Sequence, residues 1–357
     1  MDDFLIIGGG IAGTSAGARL AALGRVTLLE AEDGLGHHAS GRSAALFEQQ
    51  YGLASTVALS RASADYHAHA NGGVLSPRGI MFIAGDGEEK ALAADIANIG
   101  LHPIDVDEAR TMVPVLNPQA VRLAAWHEEA WDIDTDRLIQ TFAREIRANG
   151  EVVTGAQVTA IRRIPTGWEV EARGETYTAR KLVNAAGAWA DTIARMAGIP
   201  PIGFTPKRRS MARVAAPEGH DVRGWPMVVG AGETWYMKPD AGALLISPAD
   251  AEPVEPHDAW ADDMVLATGI AGWEAHVTTP VTRMLANWAG LRTFSPDGNL
   301  VIGPAPQDRD FLWCAGQGGY GFQTAPAASR LLADLVADRP PEIDAETRAA
   351  LDPARFG

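Results

Sequence analysis

The sequence predicts an α/β protein: a parallel-sheet nucleotide-binding domain joined to a second, α+β domain built on an antiparallel sheet. Three observations carry that expectation. The first thirty residues read as strand, glycine turn, helix and strand. A second glycine-rich strand-to-helix junction lies near the C-terminus. Between them runs a stretch of short strand-like pieces broken by Pro and Gly.

The opening unit is the most specific. Phe4-Leu5-Ile6-Ile7 is an unbroken apolar run, as expected of a strand buried on both faces. Gly8-Gly9-Gly10-Ile11-Ala12-Gly13 follows, then a helix-like stretch to Gly24, and Val26-Thr27-Leu28-Leu29 ending on Glu30 and Ala31. Strand, G-x-G-x-x-G, helix, strand and acid in that order form a dinucleotide-binding pattern. Gly8 permits the tight turn, Gly10 lets a pyrophosphate approach the backbone, and Gly13 lets the helix pack on the sheet. The helix N-terminus, at Ile11 and Ala12, offers free N–H groups and a positive dipole end to phosphate. Glu30 can accept hydrogen bonds from ribose hydroxyls.

A loop from Ala31 to Gly41 then leads into Gly41-Arg42-Ser43-Ala44-Ala45, small and polar enough for backbone to approach a flat cofactor. Its His37-His38 pair is expected as a turn feature, since neighbouring side chains on a loop rarely converge on one metal ion. Helices are expected at Ser55–Ala70, Glu88–Asn98 and Asp107–Met112, a turn followed by a strand over Ser76–Ala84, and irregular structure or an edge strand at Ala124–Trp131. Asp134 is a good N-cap for a helix with Leu138, Phe142 and Ile146 on one face. Strands around Val152, Val158 and Ile161 precede a hairpin at Gly167–Ala179. Then Val183-Asn184-Ala185-Ala186-Gly187-Ala188-Trp189 reads as another strand running into small residues.

Pro206–Val214, Thr234–Asp240 and Ala243–Ser247 are the strand-like pieces of the second domain. Nucleotide-domain texture returns at Trp288–Gly298 and at Phe311–Ala315, a strand followed by Gly316-Gln317-Gly318-Gly319-Tyr320-Gly321 and a closing helix. The expected division is therefore discontinuous: 1–45, 134–205 and 287–357 in the nucleotide domain, 46–133 and 206–286 in the other. A formal net charge of −15 argues against nucleic acid or an anionic membrane as electrostatic partner. A single cysteine, Cys314, excludes an internal disulfide and any multi-cysteine metal centre. No apolar run reaches the length of a membrane span and none resembles a leader, so a cytoplasmic protein is expected.

The fingerprint, Val183–Trp189, Trp288–Gly298 and Gly316–Gln323, in that order, resemble the D-amino acid oxidase superfamily of FAD enzymes over nearly the whole chain. Ser40–Ala45, Pro206–Ser210, Tyr236–Gly242, Trp288–Arg292 and Gln317–Gly321 look most similar to its bacterial D-arginine and D-amino acid dehydrogenases. The resemblance implies a Rossmann-like FAD-binding domain and oxidation of a D-amino acid by hydride transfer to flavin, giving a 2-oxo acid and ammonia. It implies a quinone or carrier as electron acceptor in place of oxygen. Its implied FAD contacts are Gly8, Gly10, Ile11, Ala12, Gly13, Glu30, Ala31, Arg42, Ser43, Ala44, Val158, Ala186, Gly187, Trp189, Gly290, Arg292, Gly316, Gly318, Gly319, Tyr320 and Gly321.

The same resemblance makes Arg209 and Arg292 a clamp on the substrate carboxylate, with Tyr51 and Tyr236 lining the pocket. The residues alone leave an interdomain salt bridge open for each arginine and plain packing open for each tyrosine. Gln317 either bonds substrate or flavin or is an ordinary loop amide. Ile80 stands where the D-arginine enzymes carry the glutamate that binds the guanidinium, and Leu46 where they carry a histidine. Both changes favour neutral, apolar side chains over D-arginine. Glu48, if it faces the site, restores affinity for a cation; otherwise it is a solvated loop acid. Cys314 lies away from Leu291–Pro296, where a covalent flavin link would fall, so FAD is expected to be non-covalent and Cys314 a core thiol. Two other readings remain: oxidation of a secondary amine such as sarcosine or proline, and a flavoprotein subunit whose FAD is structural.

Overall fold

A computed structural model describes residues 1–357. Its first sheet grows around the strand Asp2–Ile7, which pairs in parallel with Val26–Leu29 on one side and Glu175–Asn184 on the other. Gly150–Val153 adds in parallel beyond Val26–Leu29, and Phe311–Ala315 beside the end of Glu175–Asn184. Side chains of the central strand alternate between two cores. Phe4 and Ile6 face Leu28, Ile146, Leu331 and Leu332, beneath the helices Ile11–Leu20, Thr135–Arg147 and Gly321–Val336. Leu5 and Ile7 face Trp168, Ile193 and Trp313. That second face is covered partly by the antiparallel strands Val158–Ile164 and Gly167–Ala172, which extend the sheet from Glu175–Asn184.

The second sheet has eight strands. In spatial order they are Met284–Phe294, Thr205–Ala215, Ala243–Ser247, Tyr236–Asp240, Met227–Gly230, Ile80–Ala84, Leu123–His127 and His102–Ile104. All neighbours are antiparallel except Met227–Gly230 and Ile80–Ala84, which run parallel because they arrive from distant parts of the chain. Residues 123–127 are not edge or irregular structure but an interior strand, paired on both sides. Their short, mixed sequence hid the strand because only Ala124 and Ala125 provide its buried apolar contacts. Met284–Phe294 pairs along Thr205–Ala215 across position 287, so one strand runs through the sequence-drawn boundary. A small third sheet sets Leu46–Phe47 and Leu75–Pro77 on either side of Trp131–Ile133. No helix is long and apolar enough to cross a membrane.

Candidate active site

The cleft between the two large sheets begins at the first glycine turn. Gly8 leaves its strand at φ +109°, and a Cβ there would lie 2.4 Å from the Ala185 carbonyl oxygen. A Cβ on Gly13 would lie 1.9 Å from the Gly8 oxygen. Backbone presses on backbone at both positions, so both need glycine. Gly10 is different: it opens on the cleft, and the nearest atom to a Cβ there is Ser40 Oγ at 3.1 Å. Ser40 Oγ also accepts the Ile11 N–H at 3.0 Å, and no side chain caps the helix at Gly10. Ser40 thus takes one N–H of this helix end, and the missing side chain at Gly10 leaves room for an anionic group beside it. Glu30 is buried at the end of its strand, where Oε2 accepts the Gly9 N–H at 2.6 Å and Oε1 the Glu32 N–H at 2.9 Å. Across the turn Gly187, at φ +54°, has no atom within 4 Å of its would-be Cβ. Cys314 is buried behind the turn, its thiol 3.7 Å from the Ala12 oxygen and pushed up to about 12 by burial.

The second glycine turn supplies the facing wall. Gly316 and Gly318 sit at φ +75° and +53°, against the rings of Phe204 and Phe294. Gly319 lies against Arg292, whose Nη1 is 3.1 Å from a built Cβ.

The ladder between Thr205–Ala215 and Met284–Phe294 fixes the two arginines. Arg209 pairs with Gly290 and Lys207 with Arg292. Directly paired residues share a face, as do residues two apart, so Arg209 and Arg292 project from the same face as diagonal neighbours. Gly290 contributes no side chain between them. Arg209 Nε donates to the Asp250 carbonyl at 2.7 Å, which orients the guanidinium and leaves its two outer nitrogens free. The nearby acids are engaged by Arg208, which pairs with Glu252 at 2.5 Å and lies 3.7 Å from Asp250. Neither Arg209 nor Arg292 is paired with a carboxylate. Burial, and then the Arg292 charge, hold the Arg209 guanidinium below its ordinary range.

Tyr236 is buried beside this pair. Its ring centroid is 5.9 Å from the Arg209 guanidinium carbon, and its hydroxyl has no hydrogen-bond partner. Burial alone would raise the phenol, but Arg292 and Arg209 outweigh it and hold it below its usual value. Tyr51 closes the cleft from another loop, with its hydroxyl donating to Glu233 Oε2 at 2.6 Å. Burial, then Glu233, raises its phenol. Leu46, Ile80, Phe82, Met227 and Val229 form an apolar wall, and Glu48 lines it as well. The empty space is about 1550 Å³ and opens to solvent.

Of the residues expected from sequence, Gly10, Ile11, Ala12, Arg42, Ser43, Ala44, Tyr51, Gly187, Arg209, Tyr236, Gly290, Arg292, Gln317, Gly318, Gly319 and Gly321 line this one cleft. Gly8, Gly13, Gly316 and Glu30 shape the turns behind it. Val158, Ala186 and Trp189 are turned away: Val158 and Ala186 pack toward the core of the first sheet, and Trp189 lies on the His38 ring at 4.7 Å. Ala31 is exposed at the start of its loop, and the Tyr320 ring lies tilted against Tyr51, centroids 5.6 Å apart. Arg42 lines the cleft but is also tied to Asp258 at 2.6 Å and to the carbonyls of Ala259 and Ala289. His37 and His38 do converge with Glu32, their ligand atoms lying within 4.8 Å of one another. The Arg42 guanidinium, 3.4 Å from His37 Nε2, already places a positive charge there. Glu233, Gln323 and Met227 reach the cleft without any sequence signal. Pairing of Met227–Gly230 with the distant Ile80–Ala84 brings in Met227 and Glu233, while Gln323 stands on the first turn of the helix Gly321–Val336.

A family model described as DAO, FAD dependent oxidoreductase, matches residues 3–335. The chain is 26% identical over 365 residues to glycine oxidase of Pseudomonas putida, covering 95% of this chain and 96% of that one. It is 24% identical over 274 residues to human mitochondrial dimethylglycine dehydrogenase, covering 71% of this chain and 31% of that longer protein. Among solved structures it is similar to L-proline dehydrogenase from P. horikoshii, with TM-score 0.83, 23% identity and coverage of 99% and 97%. Glycine oxidase from Geobacillus kaustophilus gives TM-score 0.81, 23% identity and 96% coverage of each chain. These solved structures share the fold described above.

Proposed function

Because this chain belongs to the FAD dependent oxidoreductase (DAO) family and takes FAD as its cofactor, we propose that it oxidises the Cα–N bond of D-amino acids, neutral side chains in preference to D-arginine. The products are a 2-oxo acid and ammonia. The supporting observation is the pair Arg209 and Arg292. In a chain with 45 acids and 30 Lys and Arg, two cleft-lining guanidiniums on one sheet face stand without an acidic partner. A substrate carboxylate fits that vacancy bidentately.

When bound, FAD supplies the two-electron acceptor. Gly10, Gly187 and the helix end at Ile11 and Ala12 suit its pyrophosphate, and the Gly316–Gly321 turn suits its ring system. Arg209 and Arg292 hold the carboxylate, which sets where Cα–H points and makes the reaction one of positioning. Tyr236, whose buried hydroxyl has no partner within the protein, is free to hydrogen-bond the substrate beside the two arginines, and the amine proton leaves to water. Water then hydrolyses the imino acid. The buried Cys314 thiol supports non-covalent FAD. A quinone or carrier as acceptor, and D over L stereochemistry, rest on the sequence resemblance. In this reading 1–45, 134–205 and 287–357 serve FAD and 46–133 and 206–286 the substrate, with Met284–Phe294 shared.

A second reading is oxidation of a secondary amine or imino acid. It is favoured by the names of the relatives, dimethylglycine dehydrogenase and L-proline dehydrogenase, whose substrates also pair a carboxylate with an amine. The test is anaerobic. The holoprotein is mixed with D- and L-amino acids, sarcosine and proline while flavin absorbance near ~450 nm is followed. Bleaching by D-leucine, D-methionine or D-phenylalanine faster than by D-arginine supports the first reading. Bleaching by sarcosine or proline alone moves the function to the second, and no bleaching by any of them refutes both.

A further inference from the structure

The apolar wall of the cleft carries a buried acid with no cation to pair with. Glu48 is only 4% exposed, and its two oxygens receive one backbone N–H, that of Gln50, at 2.9 and 3.1 Å. It follows Leu46 by two residues, and both line the cleft. Its nearest titratable neighbour is His127, whose Nε2 is 3.9 Å from Glu48 Oε1. His127 pairs directly with Ile80, so its side chain lies on the cleft face that Ile80 lines. His127 is itself 8% exposed, and neither ring nitrogen has a hydrogen-bond partner. A buried polar side chain normally finds its partner within the protein. Glu48 lines the cleft with two carboxylate oxygens sharing a single N–H, so it has acceptor capacity left for a ligand, while the unpartnered His127 lies behind it.

We propose that Glu48, backed by His127, is the specificity-determining residue at the side-chain end of the pocket and receives a hydrogen-bond donor, above all an ammonium, on the substrate side chain. This rests on the amino-acid oxidation reading. Glu48 reaches the cleft from a different element than Ile80 and lies beside an imidazole. The site therefore suits a short ammonium-ended side chain better than a guanidinium.

The charges around Glu48 make this selectivity depend on pH. Burial pushes its carboxyl up to about 7, and Glu129 adds to the rise. The N–H groups of Gln50 and Tyr51, and Arg61 from the helix Ala54–His69, oppose it. Burial holds His127 below its ordinary value, with His102 acting in the same direction and Glu129 against it. Below neutrality Glu48 is a neutral acid and the pocket takes neutral side chains. Above neutrality it is an anion in an apolar wall, and a substrate ammonium supplies the missing countercharge.

The test compares D-ornithine with its near-isostere D-norleucine, as rates of anaerobic flavin reduction at about pH 6 and about pH 8. Both share the α-amine and carboxylate, so their ratio isolates the side-chain end. In the wild-type holoprotein the ornithine-to-norleucine ratio rises roughly tenfold across that range, as the ionised fraction of Glu48 goes from about a tenth to about nine tenths. In Glu48→Gln the ratio is flat with pH, and in Glu48→Leu it falls below the wild-type value at both. Flavin content and its visible spectrum verify each variant, and the isosteric Glu48→Gln decides if the leucine variant does not hold FAD. A ratio that follows the same pH course in wild type and Glu48→Gln overturns the proposal while leaving amino-acid oxidation standing. If neither amino acid reduces the wild-type flavin, the oxidation reading fails and this proposal falls with it.

Discussion

The two glycine-rich turns make the same strand-to-helix connection from strands on either side of Glu175–Asn184, yet they are built differently. In the first, glycine is demanded by backbone: Gly13 meets the Gly8 oxygen and Gly8 meets the Ala185 oxygen. In the second, Gly316 and Gly318 meet the rings of Phe204 and Phe294, and Gly319 meets the Arg292 side chain. Backbone cannot retreat without breaking the sheet, whereas a ring or a guanidinium can shift. The first turn is thus a fixed seat. The second is a surface whose shape is set by side chains, from Phe204 and from the strand Met284–Phe294.

The largest expected effect breaks the first turn. Gly13→Ala puts a methyl 1.9 Å from a carbonyl oxygen that cannot move aside, so it should cost about 3 kcal/mol or more and abolish FAD retention. Thermal unfolding and flavin content read both losses, and a stable, yellow Gly13→Ala protein would show that the turn can relax.

A comparable effect, spread over pH, acts on the helix behind the second turn. His67 is fully buried, with Nε2 3.2 Å from the Gln323 carbonyl of that helix, and burial lowers its pKa from 6.5 to about 4. The folded protein therefore binds this proton less readily than the unfolded chain. Its contribution is complete above about pH 6.5 and is lost as pH falls from there toward 4, by roughly 3 kcal/mol in all. Urea unfolding at stepped pH should show that slope in the wild type and a shallower one in His67→Gln. Equal slopes would remove His67 from the account.

The smallest effect falls on the adaptable turn. Gly318→Ala, at φ +53° and with a methyl 2.6 Å from the Phe294 ring, should cost about 1–2 kcal/mol while FAD stays bound. A loss as large as that of Gly13→Ala would erase the distinction between the turns.

The same difference governs what could be read from the chain. The first turn is legible because its constraint lies within thirty residues: apolar strand, spaced glycines, helix, strand, acid. The common face of Arg209 and Arg292 follows from a period of two, but only once the register Arg209↔Gly290 is known. Glu233 and His127 were illegible because their places depend on Ile80–Ala84 pairing with Met227–Gly230 and Leu123–His127, segments far apart in sequence. Glu233 lies in a short turn at φ +56° that nothing in the local sequence marks. Trp189, two residues after Gly187, has its ring beside His38, a contact the local sequence does not show. Residues 123–127 looked irregular because a strand covered on both sides by partners needs little apolar sequence of its own.

The most direct measurement concerns the carboxylate clamp. The holoprotein is titrated with a 2-oxo acid such as 4-methyl-2-oxopentanoate and, separately, with its amide, while the flavin spectrum reports binding. With Arg209 and Arg292 poised for a carboxylate, the acid should bind about 100-fold more tightly than the amide. Arg292→Met should remove most of that difference. Equal affinity for acid and amide, or a preference unchanged in Arg292→Met, would contradict the clamp and the function proposed from it.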